Sequence, residues 1–190
     1  NARVETESDG HGRVLVRVVA SDSWTTRPEI HLAKVGNEWV WAAGASEKNL
    51  FGRGKQFRVL YNVGLDREGT SLSYRDPRFL GSRIALDTLF SNASDGHRAT
   101  LGLHRPFFSL ETRWSFRLQV DDFDRLDPLY EEGERVSELR HLGSQSVLEI
   151  ARALRRTSSS ALRLHVAYQR SDDDLEVEHR RFGILRVGVT

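Results

Sequence analysis

The chain has 190 residues, 38% of them hydrophobic and 29% charged, which suits one domain or a piece of something larger and argues against disorder. Lys+Arg 28 against Asp+Glu 27 leaves a net charge of +1, so no global field draws the chain to nucleic acid or acidic lipid. Without cysteine, a disulfide scaffold, a zinc–thiolate site, an iron–sulfur cluster and a cysteine nucleophile are excluded. No run of about 18 apolar residues occurs, which rules out a transmembrane helix but not a membrane-spanning β-barrel, whose strands alternate. There is no Met, and the chain opens Asn1-Ala2, so it reads as a processed product or an excised piece with Asn1-Ala2 as a cloning scar.

Period-2 alternation recurs from segment to segment. Val14, Val16 and Val18 alternate loosely, with Leu15 and Val19 also apolar, as in a strand buried on both faces. After Ser21-Asp22-Ser23 and Trp24, Pro28 opens a weak strand with Ile30 and Leu32, and Gly36-Asn37 marks a turn. Trp39, Trp41, Ala43 and Ala45 resume the pattern. Beyond Gly52-Arg53-Gly54 it sharpens: Phe57, Val59, Tyr61, Val63 and Leu65 share one face, and Gln56, Arg58, Asn62 and Gly64 the other. Asp66-Arg67-Glu68-Gly69 turns the chain into Thr70, Leu72 and Tyr74. Ile84, Leu86, Thr88 and Phe90 follow, then a loop over 92–96, then Leu101 and Leu103.

Trp114, Phe116, Leu118 and Val120 form another apolar face, as do Leu162, Leu164, Val166 and Tyr168, and then Leu185, Val187 and Val189. The acidic stretch Asp121 to Glu134, with Asp127-Pro128 and Gly133, reads as a long loop. Val136 to Arg155 mixes helical spacing at Val147, Ile150 and Leu154 with a strand context, and a strand is the preferred reading. The expected fold is all-β: an antiparallel up-and-down meander of about ten strands, with no helical crossovers.

Alternation suits a soluble sandwich, whose apolar face points inward, and equally an outer-membrane barrel, whose apolar face meets lipid and whose polar face lines the lumen. The polar faces are rich in Arg, Ser, Gly, Thr, Asn and Gln, with Gly64, Gly102 and Gly188 set mid-strand, which favours a crowded, curved interior. Aromatics fall near strand ends, at Trp39, Tyr61, Tyr74, Phe90, Phe107, Phe108, Trp114 and Tyr168, as interfacial girdles would.

Three phrases carry more than composition: EKNLFGRGK over 47–55, SLSYRDPRFLGSR over 71–83 and LHRPFFSLETRW over 103–114. In this order and spacing they resemble the bacterial surface-antigen outer-membrane β-barrel family, the BamA- and TamA-like assembly proteins with POTRA domains. In that family an N-L-x-G-x-G phrase ends the second barrel strand, Y-x-D-P-x-x-x-G closes the fourth and R-P-F/Y closes the sixth, each at a short periplasmic turn. The resemblance therefore places Asn49, Leu50, Gly52 and Gly54 at one such turn. It places Asp76, Pro77 and Gly81 at the next, and Arg105, Pro106 and Phe107 at the third.

By the same resemblance residues 1–24 are the end of a periplasmic POTRA domain, with Val14 to Trp24 its last strand, and residues 25–190 are the N-terminal part of the barrel. Phe57, Val59, Tyr61, Val63, Leu72, Tyr74, Trp114, Phe116, Leu118, Leu162, Leu164 and Val166 then face lipid. Family barrels have sixteen strands and an inward loop with a V/I-R-G-F/Y motif; this chain lacks that motif and ends near the tenth strand, as a fragment. The implied protein resides in the bacterial outer membrane and assists insertion or translocation of proteins there. Its implied partners are outer-membrane lipid, client outer-membrane or secreted proteins and assembly lipoproteins, with self-association of the fragment through open strand edges and no nucleic acid.

No motif points to catalysis, a cofactor or a metal. Gly52-Arg53-Gly54-Lys55 resembles half a phosphate loop, but Gln56 follows the lysine and a strand follows the turn. His11, His31, His97, His104, His141, His165 and His179 form no zinc spacing. Asp121, Asp122, Asp124 and Asp127, and Asp172, Asp173 and Asp174, lack the calcium-loop pattern and read as acidic hairpin tips. No G-x-S-x-G elbow occurs. Arg58, Arg75, Arg83, Arg113, Arg117, Arg163 and Arg186 form a polar-face column without the stacking aromatics of a single-strand nucleic-acid platform, so they read as a charged lining. Two other readings remain: a soluble β-sandwich or small-barrel binding module, and the barrel part of an enzyme-linked secretion protein.

Overall fold

Alternating sequence becomes strand almost everywhere. The computed structural model describes residues 2–8, 14–20, 24–156, 160–175 and 178–189; Asn1, His11 and Ser21-Asp22-Ser23 lie outside the described residues. β1 (Ala2–Ser8) pairs with β2 (Val14–Ala20) in a two-stranded antiparallel sheet, and β1 had no signal in the alternation.

Ten further strands form one antiparallel sheet in sequence order: β3 (Thr26–Val35), β4 (Glu38–Leu50), β5 (Lys55–Val63), β6 (Glu68–Asp76), β7 (Ala85–Ala93), β8 (Gly96–Arg105), β9 (Trp114–Glu131), β10 (Glu134–Arg156), β11 (Ala161–Leu175) and β12 (Glu178–Val189). The fold is all-β, an up-and-down meander whose two edges are β3 and β12. Val136 to Arg155 lies within β10, as preferred. Val147 and Ile150 fall on opposite faces of it, and an irregularity between Ala153 and Arg155 absorbs Leu154, which accounts for the misleading helical spacing.

Several expectations need correction. Asp121 to Glu134 is not a long loop: β9 runs on to Glu131, and only Glu132-Gly133 turn the chain. Acidic composition mimics a loop, but the carboxylates are neutralised across strands, Asp124 by Arg140 and Asp121 by Arg98. The loop over 92–96 shrinks to Ser94-Asp95, because Asn92 and Ala93 stay in β7 and Gly96 opens β8. Leu65 and Gly64 lie outside β5, in a connection where the Gly64 N–H donates to the Arg67 carbonyl at 2.7 Å. Gly102 is not crowded, its nearest Cβ neighbour being 3.8 Å away, whereas a Cβ on Gly188 would meet the His165 ring at 2.3 Å.

Cross-strand partners share a face, so the registers sort every residue of the sheet. One face carries the row Leu86, Leu103, Leu118, Leu148, Tyr168 and Leu185, running across β7 to β12. The other carries Arg58, Ser73, Asp87, Gly102, Gln119 and Glu149. Over the whole sheet, however, the apolar belt does not stay level. The row through Val59 passes Leu72, Phe90 and Ala99 and meets Asp122, already beyond the apolar stretch of β9. The apolar belt thus drifts by roughly one residue per strand, which at about 3.3 Å along and 4.8 Å between strands is a slant of roughly 35°. Strands of closed barrels are tilted by a similar angle.

No second layer covers the apolar face among the described residues. Leu185, Val187 and Leu148 are 67%, 65% and 47% exposed, and among the described residues the buried hydrophobic side chains are those of Ala85 and Ala151. The accessible surface is 13979 Å², against roughly 9,200 Å² expected for a compact soluble protein of this mass. A sandwich requires the opposite arrangement.

Candidate lipid interface and interlocked turns

All twelve residues expected to face lipid lie on the apolar face. Phe57 is opposite Tyr74, Val59 opposite Leu72, and Tyr61 and Val63 continue β5 on the same side. Leu118 is opposite Leu103 and Leu148, Phe116 opposite Ile150, and Ile150 opposite Val166; Trp114, Leu162 and Leu164 extend that surface downward. Beyond the belt this face turns charged. Arg140 donates to both carboxylate oxygens of Asp124, at 3.0 and 2.6 Å, and holds that carboxyl below its ordinary range. Arg181, donating at 2.7 Å, does the same for Asp172, with His179 3.4 Å away. Belt and charged crest meet where Val120 gives way to Asp122.

The polar face is knit by ion pairs. Arg58 reaches Glu29 across β4 at 2.6 Å, Asp87 lies between Arg75 at 3.4 Å and His104 at 3.2 Å, and Asp121 accepts from Arg98 and, at 2.8 Å, from Thr100. His141 sits 3.1 Å from Asp127 and edge-on to Phe123. His104 and His165 are on the polar face as expected. Both Asp clusters lie in strands rather than at hairpin tips, because opposing arginines balance them. Among the described residues no His, Asp or Glu group is arranged to hold a metal. Arg83 and Arg113 leave the expected Arg column, since both lie in connections before β7 and β9.

The three phrases all fall at one end of the sheet, at the β4–β5, β6–β7 and β8–β9 connections, where the chain also enters β3. Local chemistry explains each turn. The Asn49 carbonyl accepts from Gly52 and its side-chain oxygen from Gly54, both at 2.7–2.8 Å, while Phe51, Gly52 and Gly54 take left-handed φ of 56°, 68° and 67°. Asp76, 2% exposed, accepts from the Arg78 N–H at 3.0 Å and pairs with Lys55 at 2.9 Å, so the first phrase is tied to the second. Arg83 lies 4.2 Å over the Phe108 ring and ties the second to the third. Arg163 over Phe107 and Arg152 over Trp114 carry the linkage to β11 and β10. Leu50 and Arg105 end their strands, and Pro77, Gly81, Pro106 and Phe107 lie in the connections. The linking side chains escaped notice in the sequence although Lys55 and Arg83 lie inside the phrases; their partners are identified only by pairing of the strands.

Leu80 shares this geometry with a φ of 52° and is 88% exposed. A leucine there carries left-handed strain without burial in return. Leu80→Gly is expected to raise folding stability by about 1 kcal/mol, read as a shift in denaturant midpoint at unchanged slope.

The two ends differ in how their arginines are used. At the crest end Arg67, Arg98, Arg135, Arg140, Arg180 and Arg181 each pair with a carboxylate. At the phrase end no carboxylate among the described residues pairs with Arg53, Arg78, Arg83, Arg105, Arg113, Arg152, Arg155 or Arg163.

No family model matches the chain, and no curated protein matches it. Among solved structures it is similar to the crystal structure of BamA from Haemophilus ducreyi lacking POTRA domains 1–3, with a TM-score of 0.45 and 10% sequence identity. The match covers 92% of this chain and 46% of that one, so the chain spans about half its length.

Proposed function

We propose that the chain is the N-terminal part of an outer-membrane β-barrel, in a protein that assists insertion or translocation of proteins at the bacterial outer membrane. The observation that carries this reading is the uncovered apolar face of a single ten-stranded meander, opposite a face of small, polar and ion-paired residues. In water such a face would cost about 25 cal/mol for each Å² left exposed, and lipid removes that cost. The slanted belt and the charged crest beyond it support the same arrangement, as does the placement of the three phrases at consecutive turns of one end. In this reading residues 1–24 close a periplasmic POTRA domain and 25–190 belong to the barrel, and the chain has no catalytic step.

The client site is the free edge of β3. Its outer backbone groups have no partner strand among the described residues, Pro28 removes one ladder donor, and nearly all of its side chains are exposed. Glu29 is the exception, held by Arg58 from two strands away. Replacing Glu29 to Lys34 in the full-length protein is expected to impair client insertion; unimpaired insertion rejects the client-strand role.

Purification with and without detergent, followed by sizing and circular dichroism, tests the lipid assignment itself. The expected outcome is a folded β-rich species only in detergent or lipid. A compact β-rich monomer in plain buffer would place Phe57, Val59, Trp114 and Phe116 in an internal core and reject the membrane reading.

A further inference from the structure

Three of the phrase-end arginines without a carboxylate partner meet at one cavity. Arg83, Arg105 and Arg113 line an open pocket of about 380 Å³ together with Phe108 and Trp114. Trp114 is the lowest belt residue of β9 on the apolar face, and Arg105 is opposite Phe116 on that same face. The pocket therefore sits at the lower border of the apolar belt. Glu111 also lines it, which leaves three guanidinium groups against one carboxylate.

We infer that this pocket takes the phosphate headgroup of an anionic phospholipid from the leaflet at that end of the belt. The inference rests on the membrane reading and adds a ligand to it. The Phe108 ring lies 4.2 Å from the Arg83 guanidinium carbon and 5.8 Å from that of Arg105, so one ring carries both cations. Stacking on a ring face leaves the N–H edges of a guanidinium available, and two such edges match phosphate oxygens. The Arg105 Nε is buried and has no hydrogen-bond partner, as is also true of the Arg163 Nε nearby on β11, so the pocket holds a donor with no acceptor. The wall opposite is preset: the Ser109 N–H donates to the Thr112 hydroxyl and the Thr112 N–H to the Ser109 carbonyl, each at 3.2 Å. Above the pocket Leu103, Phe116 and Leu118 form a continuous apolar strip for the acyl chains. A soluble anion would use the arginines but not this strip, which decides for a lipid.

The test uses the full chain with Trp114 as its one tryptophan, after Trp24→Phe, Trp39→Phe and Trp41→Phe, folded into phosphatidylcholine vesicles. Bromine-labelled phosphatidylglycerol or bromine-labelled phosphatidylcholine is added at equal mole fraction, and quenching of Trp114 gives the relative affinity of the two lipids. Phosphatidylglycerol is expected to be preferred on the order of fivefold. The preference should vanish in Arg83→Gln/Arg105→Gln/Arg113→Gln and fall in Arg113→Gln alone, an exposed single change that leaves the stacked pair intact. Arg140→Gln/Arg181→Gln at the far end should retain it. Equal quenching by both lipids overturns the headgroup site while leaving the membrane reading standing. Quenching by neither overturns both. Loss of the preference on adding inorganic phosphate reassigns the pocket to a soluble anion and overturns the lipid assignment.

Discussion

Leu118→Arg is expected to cost about 2–4 kcal/mol of folding stability in a bilayer, while Gln119→Arg, one residue along the same strand, changes it by no more than about 0.5 kcal/mol. Leu118 stands between Leu103 and Leu148 on the apolar face, in the row that also holds Leu86, Tyr168 and Leu185. A guanidinium there must be carried into hydrocarbon or bend toward a headgroup. Gln119 points the other way, between Gly102 and Val147, into the polar face. Denaturant titration of both variants refolded into vesicles measures the difference. Equal and small effects would mean that the Leu118 face meets water, which contradicts the lipid assignment.

Gly44→Ala is expected to destabilise the sheet by about 2–3 kcal/mol, and Gly102→Ala by less than about 0.5 kcal/mol. A Cβ at Gly44 would lie 2.1 Å from the Val59 carbonyl oxygen and 2.9 Å from the Leu60 Cα. Both are backbone atoms of β5, so relief requires the β4–β5 ladder itself to shift, and that ladder joins the edge strand β3 to the rest of the sheet. A Cβ at Gly102 would meet Asp87 and Leu118 atoms only at 3.8–4.0 Å, ordinary contact distances, so an alanine there clashes with nothing and restricts the unfolded chain. Comparable losses at the two glycines would show that general strand flexibility, rather than close approach of β5, is what Gly44 supplies.

These two glycines show where reading the sequence succeeds and stops. Gly102 draws attention because it interrupts an obvious alternation, and it turns out to be roomy. Gly44 lies in an Ala-rich stretch that reads as unremarkable small residues, yet it is the crowded one, because crowding depends on how close β5 comes. The acidic run from Asp121 fails for a related reason. Its composition is that of a loop, but Asp124 has Arg140 and Asp121 has Arg98 on neighbouring strands, and those partners are 16 and 23 residues away. The turn residues were legible because their cause is local: Asn49 binds Gly54 and Asp76 binds Arg78 within a few positions. The Arg83–Phe108 and Arg163–Phe107 stacks were not, since the first joins two different connections and the second joins a connection to β11.

The sequence by itself determined the strands and their two chemical faces. Alternation is a property of one strand, and side chains on successive residues must point to opposite sides. It also determined that Phe57, Leu72, Leu118 and Val166 belong to one surface, provided the strands pair as neighbours. Only the tertiary structure decided that nothing covers this surface among the described residues, that the apolar belt climbs across the sheet, and that several arginines at the phrase end, Arg83, Arg105 and Arg113 among them, pair with no carboxylate among the described residues while those at the crest do. Those are facts of register and of distance between remote residues. A one-residue change of register would leave each strand's pattern intact while exchanging every cross-strand partner.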